Sequence, residues 1–386
     1  MLDKQTRLVT AFALLAVLFN GLSGLIAARS LGNLQFSAFT SSLAIITTLQ
    51  IFFQGLQFST NEPTKPKNIE NRKRVFVIEG LVLTIIVGGV LFLCRNQLNS
   101  TIFQSIIICL MVFPGLAGAS VVGYFLSLND FVRYQFLSTL TAGVRIIMTF
   151  ILLAIAVFSE KLKSPAMFIG LVLISNVVSL VIVKLRVPQI EIIQSRVLTW
   201  GTWNSVVSVS SGWLLVQGDL ILFHAVLPAQ EAGKISAYST IAKIFISLIG
   251  LIALTQTSKL DNLGSCKKNM TVTLKLIMIT GFIATISYHY GSFAIKMLYG
   301  EEYMIDSNKL PLLILSNSAW AVFSGLLYIQ LKLNNSSSLS RKISGLLLLT
   351  IVSLFLVPLT YENILIICIT SALVGTFALA FTRTKT

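Results

Sequence analysis

The feature that most limits this chain is a near-unbroken succession of long apolar runs. They fall at roughly 8–30, 35–58, 75–94, 101–127, 134–157, 165–184, 199–226, 233–257, 271–295, 308–331, 343–358 and 361–381. About 20 residues of helix cross the roughly 30 Å of bilayer hydrocarbon. Each run is long enough, the last two with little to spare. Lipid admits only helices or closed barrels, and these runs lack the strict alternation of barrel strands. The expectation is an all-α polytopic membrane protein of about twelve transmembrane helices, in two six-helix bundles around a central cavity.

Composition closes off the other classes. Charged residues are 11% of the 386, against about 25% in a soluble domain. The net charge of +15 would suggest nucleic acid in a soluble protein. Here it points to anionic lipid at the membrane surface, and nucleic acid is not expected as a partner. The four cysteines are scattered and only two histidines occur, His224 and His289, so neither a metal site nor a disulfide framework is expected. No cofactor is implied. No small-residue cleavage site follows the first apolar run, so that run is expected to remain in the mature protein.

Loop charges set the orientation. With the N-terminus in the cytoplasm, nineteen Lys and Arg fall in inside segments and seven in outside segments or helix ends. This asymmetry predicts both termini inside and an even number of spans. Pro114-Gly115 sits inside the fourth run and predicts a kink there. The first six runs end near Lys184, and the pattern restarts after the segment 186–198. The expected organisation is therefore an N-terminal bundle over 1–185, a cytoplasmic linker over 186–198 and a C-terminal bundle over 199–386, a parallel repeat of transporter type.

Three short stretches carry a family likeness. Ala28-Arg29-Ser30-Leu31-Gly32 and Phe36 lie between the first two runs. Asp219, then Gly233, Ser236, Ala237 and Tyr238, lie around the turn between runs seven and eight. Tyr299-Gly300-Glu301-Glu302-Tyr303 precedes Leu310-Pro311-Leu312-Leu313. In this order the chain resembles the polysaccharide (O-antigen) flippase family of the multidrug/oligosaccharidyl-lipid/polysaccharide transporter superfamily. Ser37, where that family usually has glycine, and Lys234 are departures. The resemblance implies a V-shaped pair of bundles that moves an undecaprenyl-pyrophosphate-linked oligosaccharide, an O-antigen or related surface polysaccharide unit, from the cytoplasmic to the outer leaflet. It also implies a bacterial cytoplasmic (inner) membrane, with a polysaccharide polymerase and a chain-length regulator as protein partners.

Independently, the apolar runs hold ionisable groups that are expensive there, at about 2.5–3.5 kcal/mol for a charge at a helix centre. Arg145 and Lys243 fall near the middle of runs five and eight. Ser138, Thr141 and Thr149 share the helical face of Arg145, and Ser236, Ser239 and Ser247 share that of Lys243. Asn204, Ser208 and Ser211 form a similar stripe in run seven. Two cationic, hydroxyl-bearing faces suit a cavity that replaces the hydration of a pyrophosphate. The other reading is hydroxyl-rich helix contact. Arg29 and Asp219, near outer ends, suit either snorkelling or an ion-paired outer gate. No catalytic dyad or phosphate loop is present in the sequence, so a transporter without covalent chemistry is expected. Two rivals stay open. A cation-coupled small-molecule exporter would want acids where this chain has cations. A membrane polysaccharide polymerase would want larger outside loops.

Overall fold

The computed structural model describes residues 4–59, 69–94, 101–127, 130–157, 159–187, 200–241, 266–306, 309–333 and 337–380. Among the described residues no strand occurs. The helices are α1 (Lys4–Ser59), α2 (Ile69–Cys94), α3 (Ile102–Leu110), α4 (Val112–Ser127), α5 (Phe131–Ala156), α6 (Pro165–Arg186), α7 (Trp200–Val226), α8 (229–241), α9 (Cys266–Leu298), α10 (Leu310–Leu333), α11 (Ser337–Leu356) and α12 (Tyr361–Ala380). Seven helices among the described residues are long and apolar enough to cross a membrane, and the first is a 41-residue stretch, Arg7–Thr47. The protein is a multi-pass membrane protein. It divides into two compact units, Met1–Val206 and Val207–Thr386. Most of the expected linker, 188–198, lies outside the described residues.

In the first unit α1 holds two of the expected spans. They meet at Gly32, whose φ of 69° and ψ of 168° are not helical. A side chain rarely adopts that backbone, so glycine belongs at the bend. Around it Ala28, Leu31 and Phe36 are buried, which gives the resemblance motif a packing reason.

The fourth span is broken between α3 and α4 at Met111, not at Pro114-Gly115 themselves. The cause is still Pro114. It has no N–H for the Leu110 carbonyl four residues back, and its ring crowds that carbonyl. The chain tightens instead, so that the Met111 amide meets the carbonyls of Ile107 and Ile108, each at 3.1 Å. Pro114 then occupies the first turn of α4, where no amide is needed.

Caps fix the next two helices. Asp130 Oδ1 accepts the Arg133 amide at 3.0 Å and starts α5. Ser164, followed by Pro165, starts α6. Val121, Val122, Phe125, Leu137 and Val183 make one buried cluster of α4, α5 and α6. Between helices already in lipid, such contacts are held by close packing rather than by release from water. The outward faces are apolar too: Phe92, Leu93 and Phe355 are 76%, 81% and 85% exposed, as suits a surface against hydrocarbon.

The second unit is knit by small residues and hydroxyls. Gly375 lies against Leu346 and Phe323, and Gly212 against Leu327. Thr350 donates to Ser371 at 2.8 Å across α11 and α12, and the Gln330 amide donates to the Leu379 carbonyl at 3.3 Å. At one end Lys309 lies 3.5 Å from Glu231 and over the Tyr361 ring. The Tyr361 hydroxyl donates to the Lys309 carbonyl at 2.9 Å. Beside them Gly300 turns with φ 113° and places Tyr303 in the core. Lys296 hydrogen-bonds Glu301 and holds its carboxyl below the usual range.

Candidate functional site

Arg145 lies about 21 Å along α5 from Phe131 and about 16 Å from Ala156, near mid-helix. Its Nη1 donates to Asn20 Oδ1 of α1 at 3.0 Å. Its Nε is buried with no partner among the described residues. No Asp or Glu pairs with it among the described residues. A guanidinium has five donors, so this one keeps unmatched N–H groups beside an exposed Asn20.

The hydroxyls around Arg145 divide. Ser138 is exposed and Thr141 half-buried, whereas Thr149 is fully buried. Thr149 donates to the Arg145 carbonyl at 2.8 Å and lies 3.4 Å from Ser23 of α1. Its single proton is committed to the carbonyl, so Ser23 is the donor of that pair. Thr141 likewise donates to the Leu137 carbonyl at 2.9 Å. Arg145 and Thr149 are therefore in contact with α1, where Asn20 and Ser23 supply the other side. Sequence reasoning missed both. A lone amide in the middle of the first apolar run was the available signal.

On α8, Ser236 and Ser239 are buried. Ser236 donates to the Ala232 carbonyl at 2.8 Å and lies 3.0 Å from His224 Nε2. Ser236 thus faces the packing of α7 and α8, while the Ser239 hydroxyl is buried with no hydrogen-bond partner among the described residues. Lys243 and Ser247 lie outside the described residues. Asn204 and Ser208 lie on α7, but their side chains are also outside the described set, while Ser211 is buried. Asp219 is only 2% exposed, and its Oδ1 accepts the Leu220 amide at 2.7 Å. Arg29 is exposed. Glu79 is buried on α2.

Among the described residues, the arrangement is a cation at mid-helix with no carboxylate against it, held by a neutral amide, with donors unused. Such donors suit an anionic oxygen.

Solved structures share this architecture. An inward-closed lipid II flippase MurJ aligns with TM-score 0.73 and 12% identity over 97% of this chain and 87% of its own. The fold is that of the MOP-superfamily transporters. An inward-facing multidrug resistance MATE family transporter of that superfamily aligns at 0.62 and 13%, over 97% of each chain. The Vibrio cholerae MATE transporter VcmN in its bent form aligns at 0.56 and 14%, over 97% of this chain and 95% of its own. All three are flippases or transporters, not enzymes. No family model matches the sequence. No curated relative matches it either.

Proposed function

We propose that the chain is a flippase for a polyprenyl-pyrophosphate-linked oligosaccharide, an O-antigen or related surface polysaccharide unit. It acts in a bacterial inner membrane with both termini in the cytoplasm. The observation that carries this reading is Arg145: a mid-helix guanidinium with Asn20 as its one side-chain partner among the described residues and unmatched donors to spare. A pyrophosphate cannot cross hydrocarbon unaided. A planar guanidinium fork fits its oxygens, while the polyprenyl tail stays in lipid. Exposed first to one side and then to the other, such a site carries the head group across without bond chemistry. Lys243, at the matching place in its span, is proposed as a second anchor.

The test is complementation in cells lacking the gene, with membrane levels of each variant measured. Arg145→Ala should abolish transport and leave lipid-linked oligosaccharide on the cytoplasmic leaflet. Arg145→Lys should keep part of the activity. Asn20→Asp is the sharper variant, because it neutralises the guanidinium in place. A purely structural Arg145 would tolerate that change or be steadied by it, whereas an anion site would lose function. Normal transport by Asn20→Asp and Arg145→Ala at normal levels refutes the reading.

One observation favours the rival. Asp219 is a buried carboxylate on α7, the kind of group a cation-coupled exporter uses. Asp219→Asn abolishing resistance to a cationic drug, with lipid-linked oligosaccharide handled normally, would favour the exporter.

A further inference from the structure

The second unit contains a cavity of about 190 Å³ between α8, α9 and α10. Its shape follows from its lining. On α9 it takes every third or fourth residue from Thr280 to Ile295, a rise of about 22 Å. On α10 it takes the matching stripe from Leu310 to Ala321, about 16 Å. Spread along such a length, the volume has room for one chain and not for a compact molecule. The walls are mainly apolar. Two of the polar groups are turned back on their own helices: Thr280 donates to the Leu276 carbonyl and Asn317 to the Leu313 carbonyl. Ile286 and Tyr290, both exposed on α9, form part of the wall, so the slot opens sideways onto an exposed side of this apolar helix. It starts beside Lys309 and runs inward by about the depth of one leaflet, roughly 15 Å. Gly291 lines it, and a Cβ added there meets no atom within 4 Å.

We propose that this slot seats one acyl chain of a membrane phospholipid, from the leaflet whose surface lies at the Lys309 end. Direction, length, apolar walls and lateral opening all match a lipid tail lying along the bilayer normal. Bilayer phospholipid is always present at the opening, so occupancy follows by mass action. The inference is independent of what cargo the protein carries.

The test uses the full chain in lipid nanodiscs containing a phospholipid with a diazirine midway along one acyl chain. After illumination, crosslinks are mapped by mass spectrometry. Labelling is expected on slot residues between 280–295 and 310–321, as well as on the outward residues Met278, Phe282 and Phe293. In Gly291→Phe, and separately in Ala294→Phe, slot labelling should fall about tenfold while labelling of Met278 and Phe282 stays unchanged. Those outward positions report that a filled variant is still folded and embedded. Slot labelling equal in wild type and both filled variants overturns the proposal, as does labelling confined to the outward residues. A diazirine polyprenyl phosphate that labels the slot where the phospholipid does not overturns it too, because the occupant would then be the wrong lipid.

Discussion

Gly32→Ala isolates one physical effect. The bend in α1 has φ 69° and ψ 168°, and an added Cβ would meet no atom within 4 Å. Nothing crowds the methyl group, so the whole cost is local backbone conformation, about 1–3 kcal/mol for a side chain held in this region. Gly118 in α4 is the control. A Cβ there also meets nothing within 4 Å, and its φ is not positive. Gly118→Ala should therefore gain about 0.4–1 kcal/mol by narrowing the unfolded ensemble. The two substitutions differ in sign although both add one methyl group to open space. Asparagine should not rescue position 32. It tolerates left-handed helix, which needs ψ near +30 to +60°, and ψ here is far from that. The assay is thermal unfolding of each variant in one mild detergent, followed by tryptophan fluorescence. The expected order is Gly118→Ala above wild type, with Gly32→Ala and Gly32→Asn below it and alike. If Gly32→Ala unfolds with wild type, or if Asn restores stability, the bend does not depend on this backbone conformation and the argument fails.

Other outcomes follow from close approaches in the second unit. Gly375→Ala should destabilise by about 1–3 kcal/mol through overpacking, because the methyl group meets Leu346 and Phe323 on two sides. Gly212→Ala should cost less in the same unfolding assay, since only the end of Leu327 must swing away. Tyr361→Phe removes the bond to the Lys309 carbonyl and should cost about 1 kcal/mol, with faster amide exchange at the start of α10. Thr350→Val removes the α11–α12 hydroxyl bond and should cost about 0.6 kcal/mol.

Spans were the most legible part of the sequence, because lipid imposes length and apolarity with little freedom. Ends were less so. α9 begins at Cys266, ahead of the apolar run, because Lys267, Lys268 and Asn269 continue the helix outside hydrocarbon. Pro114 gave the break, but the break lands three residues earlier, at Met111, next to the Leu110 carbonyl that Pro114 cannot pair. Arg145 was legible as an expensive group. The face around it was not, for a specific reason. Hydroxyls at helical spacing suggest a polar surface, yet Thr141, Thr149 and Ser236 each bond the carbonyl four residues back. A hydroxyl satisfied within its own helix can face lipid, a neighbour or a cavity with equal ease. Periodicity names the face and not what the face meets, so the pairing of Arg145 with Asn20 and of Thr149 with Ser23 came only from the tertiary contact.

That distinction decides how Arg145 is to be understood. A guanidinium has no such route to its own helix, and a charge at mid-helix costs about 2.5–3.5 kcal/mol on insertion scales. A hydrogen bond between membrane helices returns about 0.6 kcal/mol on average and at most about 1.7. The bond to Asn20 therefore leaves Arg145 a net burden on stability. A carboxylate in place of that amide would offset more of the cost, at one atom's change in the side chain. Position 20 has the amide, which orients the guanidinium without cancelling its charge. A group that is costly, held in place and left unneutralised is poorly explained by packing. On the proposed reading, Arg145, which no carboxylate neutralises among the described residues, is there for an anion that arrives, is held through the unused donors, and leaves. The proposed reading also puts a limit on affinity: a site that bound pyrophosphate too tightly would not release it, and a single guanidinium with a neutral partner would be a moderate anchor.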